Sequence, residues 1–522
     1  MKMRSVMKHQ FSQVPTADIQ RSSFDRSCGY KTTFNSGDLV PFFCDEVLPG
    51  DTFKLKTAMF SRLATPVVPF MDNAFLETFY FFVPTRLVWD NWKKFNGERV
   101  KPNDSTDYLV PQYKLAATTG FEVGSVADYF GLPFGVKGLS VNALPFRAYR
   151  LIYNEWFRDE NLQNSLDIPT GDGPDNYDIS VLKRNKRHDY FTSCFPWPQK
   201  GPAVDIPLGQ TANVLTNDKP ISIKTGTGQT HLEINDSTTN YVVSRPVGAA
   251  SATPLQFGNE TGLKVDLSSA TAVTINSLRQ AFQLQKMFER DARGGTRYTE
   301  ILRSHFRVVS PDARLQRPEY LGGSSQRINI NPVQQTSATP QQPTPQGNLA
   351  AFGLVSDVHH GFNKSFTEHG YIIGILNVRA DLTYQKTLNR MWTRQTRFDF
   401  FWPALSHLGE QTVLNKEIYC QGTADDDKVF GYQERYAEYR YKPSLITGKM
   451  NSHVPTSLDF WHLSQKFDNL PTLSSQFIQE NPPFKRVIAV QNEPEFILDA
   501  YFNLHCIRPM PVNSVPGLVD HF

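Results

Sequence analysis

Apolar and polar residues alternate over residues 52–60, where Phe53, Leu55 and Met59 fall on one side and Lys54 and Lys56 on the other. That period predicts a strand with one buried and one solvated face. Residues 498–506 repeat the pattern, with Leu498, Ala500, Phe502, Leu504 and Cys506 opposing Asp499, Tyr501, Asn503 and His505. Residues 75–83 are apolar or aromatic on both sides apart from Glu77 and Thr78, which predicts a central strand packed on both faces. The strongest apolar runs, at 80–83 and 371–378, have strand length and fall short of the ~18 residues of a membrane span. These strands are widely separated in the chain, so their sheets must be assembled from distant parts. Jelly rolls have that topology and commonly carry long excursions between strands.

Three helices are expected between the strands. Thr85 is placed to cap residues 86–96, where Val88, Trp92 and Phe95 share a face and Gly97 supplies the stop. Pro145 suits the first turn of residues 146–158, whose Tyr149, Ile152, Tyr153 and Trp156 form a stripe. Residues 275–291 set Ile275, Leu278, Ala281, Phe282 and Phe288 against Arg279, Gln283, Lys286 and Arg290. Such stripes are expected to bury against the sheet.

The pattern changes at residues 201–270. Only Tyr241 and Phe257 are aromatic there, and Trp, Met and Cys are missing. Short β-like pieces at 221–223, 231–234 and 263–267 lie among Gly, Thr, Ser and Asn. This predicts an insertion with a thin core of its own, projecting from the main body. Residues 332–348, rich in Gln, Pro and Thr, read as a mobile loop. The expected organisation is an amino-terminal arm (1–40), a first core part with helical insertions (41–200), the projecting insertion (201–270) and a second core part ending in a carboxy-terminal arm (271–522).

At 522 residues the chain exceeds what one hydrophobic core usually supports, so several domains or long insertions are required. Aromatics reach 12% with 38 Phe, enough apolar mass to exclude a wholly disordered chain. The 54 Lys and Arg against 51 Asp and Glu leave a net charge of +3, so contact with a polyanion has to be local. Cys28, Cys44, Cys194, Cys420 and Cys506 form no CxxC pair, which argues against disulfide staples and structural zinc and for a reducing compartment. The basic start lacks a following apolar segment and does not read as a secretory signal.

Candidate chemistry is sparse. Residues 224–229 have the glycines of a phosphate loop without its Gly-Lys-Ser/Thr ending, so a turn is expected. His359, His360, Glu368 and His369 lack helical metal-ligand spacing. Asp425, Asp426 and Asp427 lack the Gly and terminal Glu of a calcium loop. No GxSxG elbow or recognisable cysteine nucleophile occurs. The expectation is therefore no catalytic residue, no metal and no cofactor. Two basic stretches remain. Lys2, Arg4 and Lys8 precede the first acidic residue, Asp18, and Lys183, Arg184, Lys186 and Arg187 run into Tyr190 and Trp197. Cations beside aromatics suit phosphates and stacked bases of a single strand. The alternatives are a solvated turn, or an arm pairing with a neighbour's carboxylates.

Longer blocks carry a resemblance. RSSFDRS at 21–27, VLPGDTF at 47–53, NWKKFNGE at 91–98 and LPFRAYRLIYNEWFRD at 144–159 resemble the major capsid proteins of gokushoviruses, small single-stranded DNA bacteriophages of the Microviridae. WPQKG at 197–201, ERDARGGTRY at 289–298, RPEYLGG at 317–323, GYQERYAEYRY at 431–441 and PGLVDHF at 516–522 continue it. The similarity covers nearly the whole chain outside 201–270. It implies a mainly β, eight-stranded antiparallel jelly roll of the viral capsid type with long loop and helix insertions. It also implies an icosahedral shell of sixty copies, single-stranded DNA inside, and protrusions built by the insertion near the threefold axes.

That resemblance sets the expected partners: other copies of the chain, the DNA, and a bacterial host surface receptor. The expected location is the virion, assembled in the host cytoplasm. A gene for this chain alone needs three nucleotides for each of its 522 residues, each carrying about one negative charge. Sixty copies at +3 each fall far short of neutralising it, so a small basic packaging protein or polyamines must share the interior. The Pro-rich tail, with Pro509, Pro511, Pro516, Leu518 and Phe522, suits an arm laid over a neighbouring subunit. The rival classes are a carbohydrate-binding jelly roll and a β-rich hydrolase, the second lacking a catalytic constellation.

Overall fold

The computed structural model describes residues 20–116, 118–200, 204, 213–216, 222–225, 228–231, 256–257, 263–266, 275–337 and 346–513. The chain divides into two units, one formed by Met1–Pro198 with Gly294–Phe522 and the other by Gln199–Arg293. In the first unit, besides the short pairs Gln112–Lys114 with Ser140–Asn142 and Glu410–Leu414 with Val429–Glu434, the strands are β1 Ser22–Asp25, β2 Cys28–Phe34, β3 Val40–Val47, β4 Thr52–Leu63, β5 Ala74–Pro84, β6 Glu319–Arg327, β7 Asn329–Gln334, β8 Leu349–Ser365, β9 Gly370–Ala380 and β10 Phe496–Arg508. They build two antiparallel sheets. The first runs β2–β10–β4–β8–β7, with β1 beside the carboxy-terminal half of β10. The second runs β3–β9–β5–β6. Strands are what the alternation implied, and a mainly β, antiparallel fold is what the resemblance implied.

Alternation decides which face is buried. Every second residue of β4 and β10 is buried, and the intervening ones are exposed or nearly so. The buried set of the first sheet meets that of the second. Phe502 of β10 lies 4.9 Å from Phe43 and 5.5 Å from Phe42, ring centroid to ring centroid, and Phe42 lies 5.7 Å from Tyr80. Removing a ring such as Phe502 is expected to destabilise the unit by about 3–5 kcal/mol.

The second sheet has no exposed face at its centre. Phe81, Val83, Tyr371, Ile373 and Ile375 point away from the first sheet into another apolar cluster with Trp89, Phe146, Tyr149 and Ile152. This second burial explains why β5 and β9 are apolar on both sides. Helix α1, Leu144–Ile152, carries much of the covering layer and runs into a single π turn at Tyr153–Phe157. Pro145 occupies its first turn.

The helix expected over residues 86–96 is interrupted. A 3-10 turn, Thr85–Leu87, is followed by a short helix, Trp92–Phe95, and Thr85 lies inside the turn without capping it through its side chain. Tertiary bonds claim the intervening backbone: Asp90 N–H donates to Thr170 O at 2.9 Å, and the buried Trp89 donates through Nε1 to Asp172 at 2.7 Å. Such bonds override local helix propensity.

In the second unit, Ser222–Thr225 and Gly228–His231 form a hairpin extended by Gln256–Phe257, and Asn213–Thr216 pairs with Leu263–Asp266. Of the glycine-bearing stretch 224–229, Lys224 and Thr225 pair with Gln229 and Gly228, while Gly226 and Thr227 lie outside the described residues. Helix α2, Ile275–Gly294, forms where its periodicity predicts. Its stripe departs from expectation, because Ile275 and Phe282 stay exposed and Ala292 alone is buried among its described residues. No described helix is long and apolar enough to cross a membrane, and all five cysteines are free thiols.

Candidate functional site

The basic segment 183–187 runs beside the second sheet, and its charges are answered within the subunit. Lys183 pairs with Asp38 at 2.6 Å. Arg184 pairs with Glu77 of β5 and covers the Phe79 ring at 4.8 Å. Arg187 reaches Glu77 at 3.1 Å and Asp381 at 3.3 Å. Arg379 of β9 joins the same carboxylate at 3.0 Å. Burial alone would raise the Glu77 pKa, but Arg184 and Arg379 outweigh it and hold the carboxyl below its usual value. Burial, with Arg184 and Arg187 nearby, pushes the Arg379 guanidinium down to about 10.

Lys186 is buried, donates to Gln465 at 2.7 Å and lies 4.5 Å above the Phe477 ring. Desolvation lowers its pKa to about 8, opposed by Glu480 and Asp189. Glu480, also buried, is raised by desolvation and restrained by Lys186. Tyr190 is buried as well and donates to Glu417 at 2.8 Å, and desolvation raises its pKa. Trp197 is half-buried against Phe195 at 5.8 Å. The segment expected to meet DNA is therefore occupied in joining the second sheet to a third apolar cluster built around Phe191, Tyr384, Val413 and Ile418. Lys186 and Tyr190 have almost no surface to offer a nucleic acid. Lys2, Arg4 and Lys8 lie outside the described residues.

Glu77 was noted in the sequence only as a break in an apolar strand. A carboxylate inside a strand buried on both faces needs cations, and the dense basic segment supplies them. A second buried pair has no signal in the local sequence. Arg147 of α1 and Asp175 form a bidentate bond at 2.7 and 2.6 Å, with side chains 0% and 1% exposed. Arg147 also donates to the carbonyls of Val88 and Gly171, tying the covering layer together.

The other candidates resolve into local structure. Asp425 pairs with Lys428 and Asp427 with Lys416, while Asp426 accepts the amides of Gln421 and Gly422. His360 faces Asp357 at 3.0 Å, Glu368 pairs with Arg86 and His369 packs against Trp92. Among the described residues no three His, Cys, Asp or Glu side chains converge to hold a metal.

An exposed aromatic surface is the more informative finding. Met391, Trp392, Phe398, Phe400, Phe401 and Leu408 crowd one stretch, with Trp392 72% and Phe398 64% exposed. Arginines are interleaved: Arg394 stacks on Tyr439 at 4.3 Å and pairs with Glu438, and Arg397 covers Trp402 at 4.5 Å. Trp, Tyr and Arg grouped in this way characterise protein–protein contacts. The aromatics at 398 and 400–402, set around Asp399, are the signal the sequence carries. Of the expected tail contacts, Pro509 packs near Gly50 and Pro511 is exposed. Pro516, Leu518 and Phe522 lie outside the described residues.

Comparison with known proteins adds an independent finding. The family model described as Capsid protein (F protein) matches residues 12–518. Capsid protein VP1 of Bdellovibrio phage phiMH2K is 49% identical, the alignment covering 99% of this chain and 98% of the relative. Capsid protein VP1 of Chlamydia phage 1 is 46% identical over 99% of both chains. Capsid protein VP1 of Spiroplasma virus 4 is 38% identical over 98% of this chain and 97% of the relative.

Proposed function

Because this chain belongs to the phage capsid protein (F protein) family of the Microviridae and is a structural component of the virion, we propose that sixty copies close into an icosahedral shell around single-stranded DNA. Family membership implies self-assembly and a structural, non-enzymatic role. The finer reading of the fold is an eight-stranded jelly roll. It is supported by the order β2–β10–β4–β8 in one sheet and β3–β9–β5–β6 in the other, with β1 and β7 as additions.

The observation that carries the assembly reading is the exposed patch from Met391 to Leu408. A subunit leaving Trp392 and Phe398 in water has a reason to do so when another copy covers them. Shell contacts of this kind are heterologous around fivefold and threefold axes and isologous across twofolds. The carboxy-terminal arm is assigned to the same task. The insertion at 201–270 builds the surface protrusion and meets the host receptor, a reading supported by its polar make-up and by the uncovered Ile275 and Phe282 of α2. The small net charge calls for a basic packaging partner inside the shell.

Sedimentation and electron microscopy of the purified chain test the reading. Wild type is expected as closed particles of megadalton mass. Trp392→Ser with Phe398→Ser is expected to yield folded subunits that sediment slowly. Normal particles from the double variant would remove the patch from the assembly surface, and a wild-type chain that never forms particles would remove the shell.

A further inference from the structure

The first sheet differs from the second in that, among the described residues, nothing covers its outward face. Outward positions of β4 are Lys54, Lys56, Ala58, Phe60 and Arg62, and those of β10 include Ile497, Asp499, Tyr501, Asn503 and His505. Register sets Lys54 opposite His505, Lys56 opposite Asn503, Ala58 opposite Tyr501 and Phe60 opposite Asp499. Phe60 and Tyr501 are thus diagonal neighbours, 48% and 51% exposed. Among the described residues Lys54, Lys56 and Arg62 take part in no ion pair. The acids on this face are engaged or on an edge strand: Asp499 pairs with Lys31 at 2.6 Å, and Asp25, on β1 in the row of His505 and Lys54 with His505 between them, accepts from Ser27.

We infer that this face is a docking surface for single-stranded DNA, with Lys54, Lys56 and Arg62 on the phosphates and Phe60 and Tyr501 under the bases. The inference rests on the reading of the chain as a DNA-enclosing shell. Charge complementarity carries it, because three unpaired cations stand on a chain whose overall surplus is only +3. Geometry agrees. Outward side chains two residues apart on a strand are separated by ~6.8 Å, so Lys54 and Lys56 are adjacent contacts for an extended backbone and Arg62 stands three such steps farther on, beyond Phe60. Rings standing on an open sheet give bases a stacking platform that needs no particular sequence. A second polypeptide would instead favour the apolar members of the face, Val358, Ile497 and Ile507, and would leave three cations without partners.

The test uses full-length subunits released from particles, a labelled oligothymidylate, and the DNA content of assembled particles. Lys54→Ser/Lys56→Ser/Arg62→Ser is expected to lower the slope of log affinity against log salt by about 2, the value for three phosphates on a single strand. Phe60→Ser/Tyr501→Ser is expected to weaken binding at least about fivefold at fixed salt. Both variants should still form particles, with less DNA in each. If wild-type particles hold DNA while the triple variant keeps the same content and salt slope, the face is not the DNA surface and the shell reading stands. If the triple variant fails to assemble, the face is a contact between copies and the inference falls. Wild-type particles that hold no DNA at all would overturn the enclosure reading itself.

Discussion

Two groups of cations in this chain have opposite fates. Lys183, Arg184, Lys186 and Arg187 lie almost consecutively in sequence, yet they are paired with Asp38, Glu77 and Asp381 or buried over Phe477. Lys54, Lys56 and Arg62 are spread along one strand and stand in solvent without partners among the described residues. Density of charge along a chain therefore says little about its availability. What decides is the face on which the backbone period sets each side chain, and whether a carboxylate waits there.

Replacing Lys183, Arg184, Lys186 and Arg187 together by Ser offers the strongest challenge to this contrast. It leaves Glu77 and Glu480 as poorly compensated buried carboxylates, each loss being of the kind that destabilises by about 3–5 kcal/mol. Against a typical total stability of ~5–15 kcal/mol, the subunit is expected not to fold. Filled and empty particles should vanish together, read from a sucrose gradient. A selective loss of filled particles would return the segment to the DNA. The Lys54, Lys56 and Arg62 triple variant, by contrast, should keep its particles.

Breaking the most buried pair gives the next largest effect. Asp175→Ala leaves Arg147 charged and enclosed, with an expected loss of about 3–5 kcal/mol in denaturant unfolding of released subunits. An unchanged midpoint would mean that water reaches the guanidinium in place of the carboxylate.

The pH dependence of Lys186 is smaller and has a definite sign. Its folded pKa of about 8 lies below the ordinary lysine value of 10.5. Between those values the unfolded chain binds the proton and the folded chain does not, so this group makes stability rise with pH across that window. Lys186→Met should remove that rise, so its stability relative to wild type is greatest near pH 7 and shrinks towards pH 10.5. Parallel unfolding curves for the two proteins over this range would contradict the burial argument. The smallest effect is expected from Lys56→Ser, whose melting should match wild type to within about 0.5 kcal/mol because the side chain touches nothing that holds the fold.

The sequence was most legible where one periodicity met one environment. The alternation in β4 and β10 named the buried faces correctly, and the two-sided apolar run of β5 announced a layer on each side. It was least legible where a residue's partner is remote in the chain. Glu77 and Arg379 are about 300 residues apart, and nothing local in either foretells their meeting. The same cause broke the helix expected at 86–96, since Thr170 and Asp172 intervene from far along the chain. The stripe on α2 failed differently. Its periodicity was correct, but an apolar face can serve a neighbour as well as its own core.

Strand β10 has a kinetic consequence. It completes the first sheet by lying between β2 and β4, so residues 496–508 must reach partners at residues 28–63. Until the ribosome has delivered residues 496–508, β4 has no β10 to pair with and β2 has no sheet to join. Folding is therefore slow, in keeping with high contact order, and the nascent chain carries an open strand edge throughout synthesis. For the same reason a chain cut short before residue 496 lacks the strand that joins β2 to β4 and cannot close its sandwich.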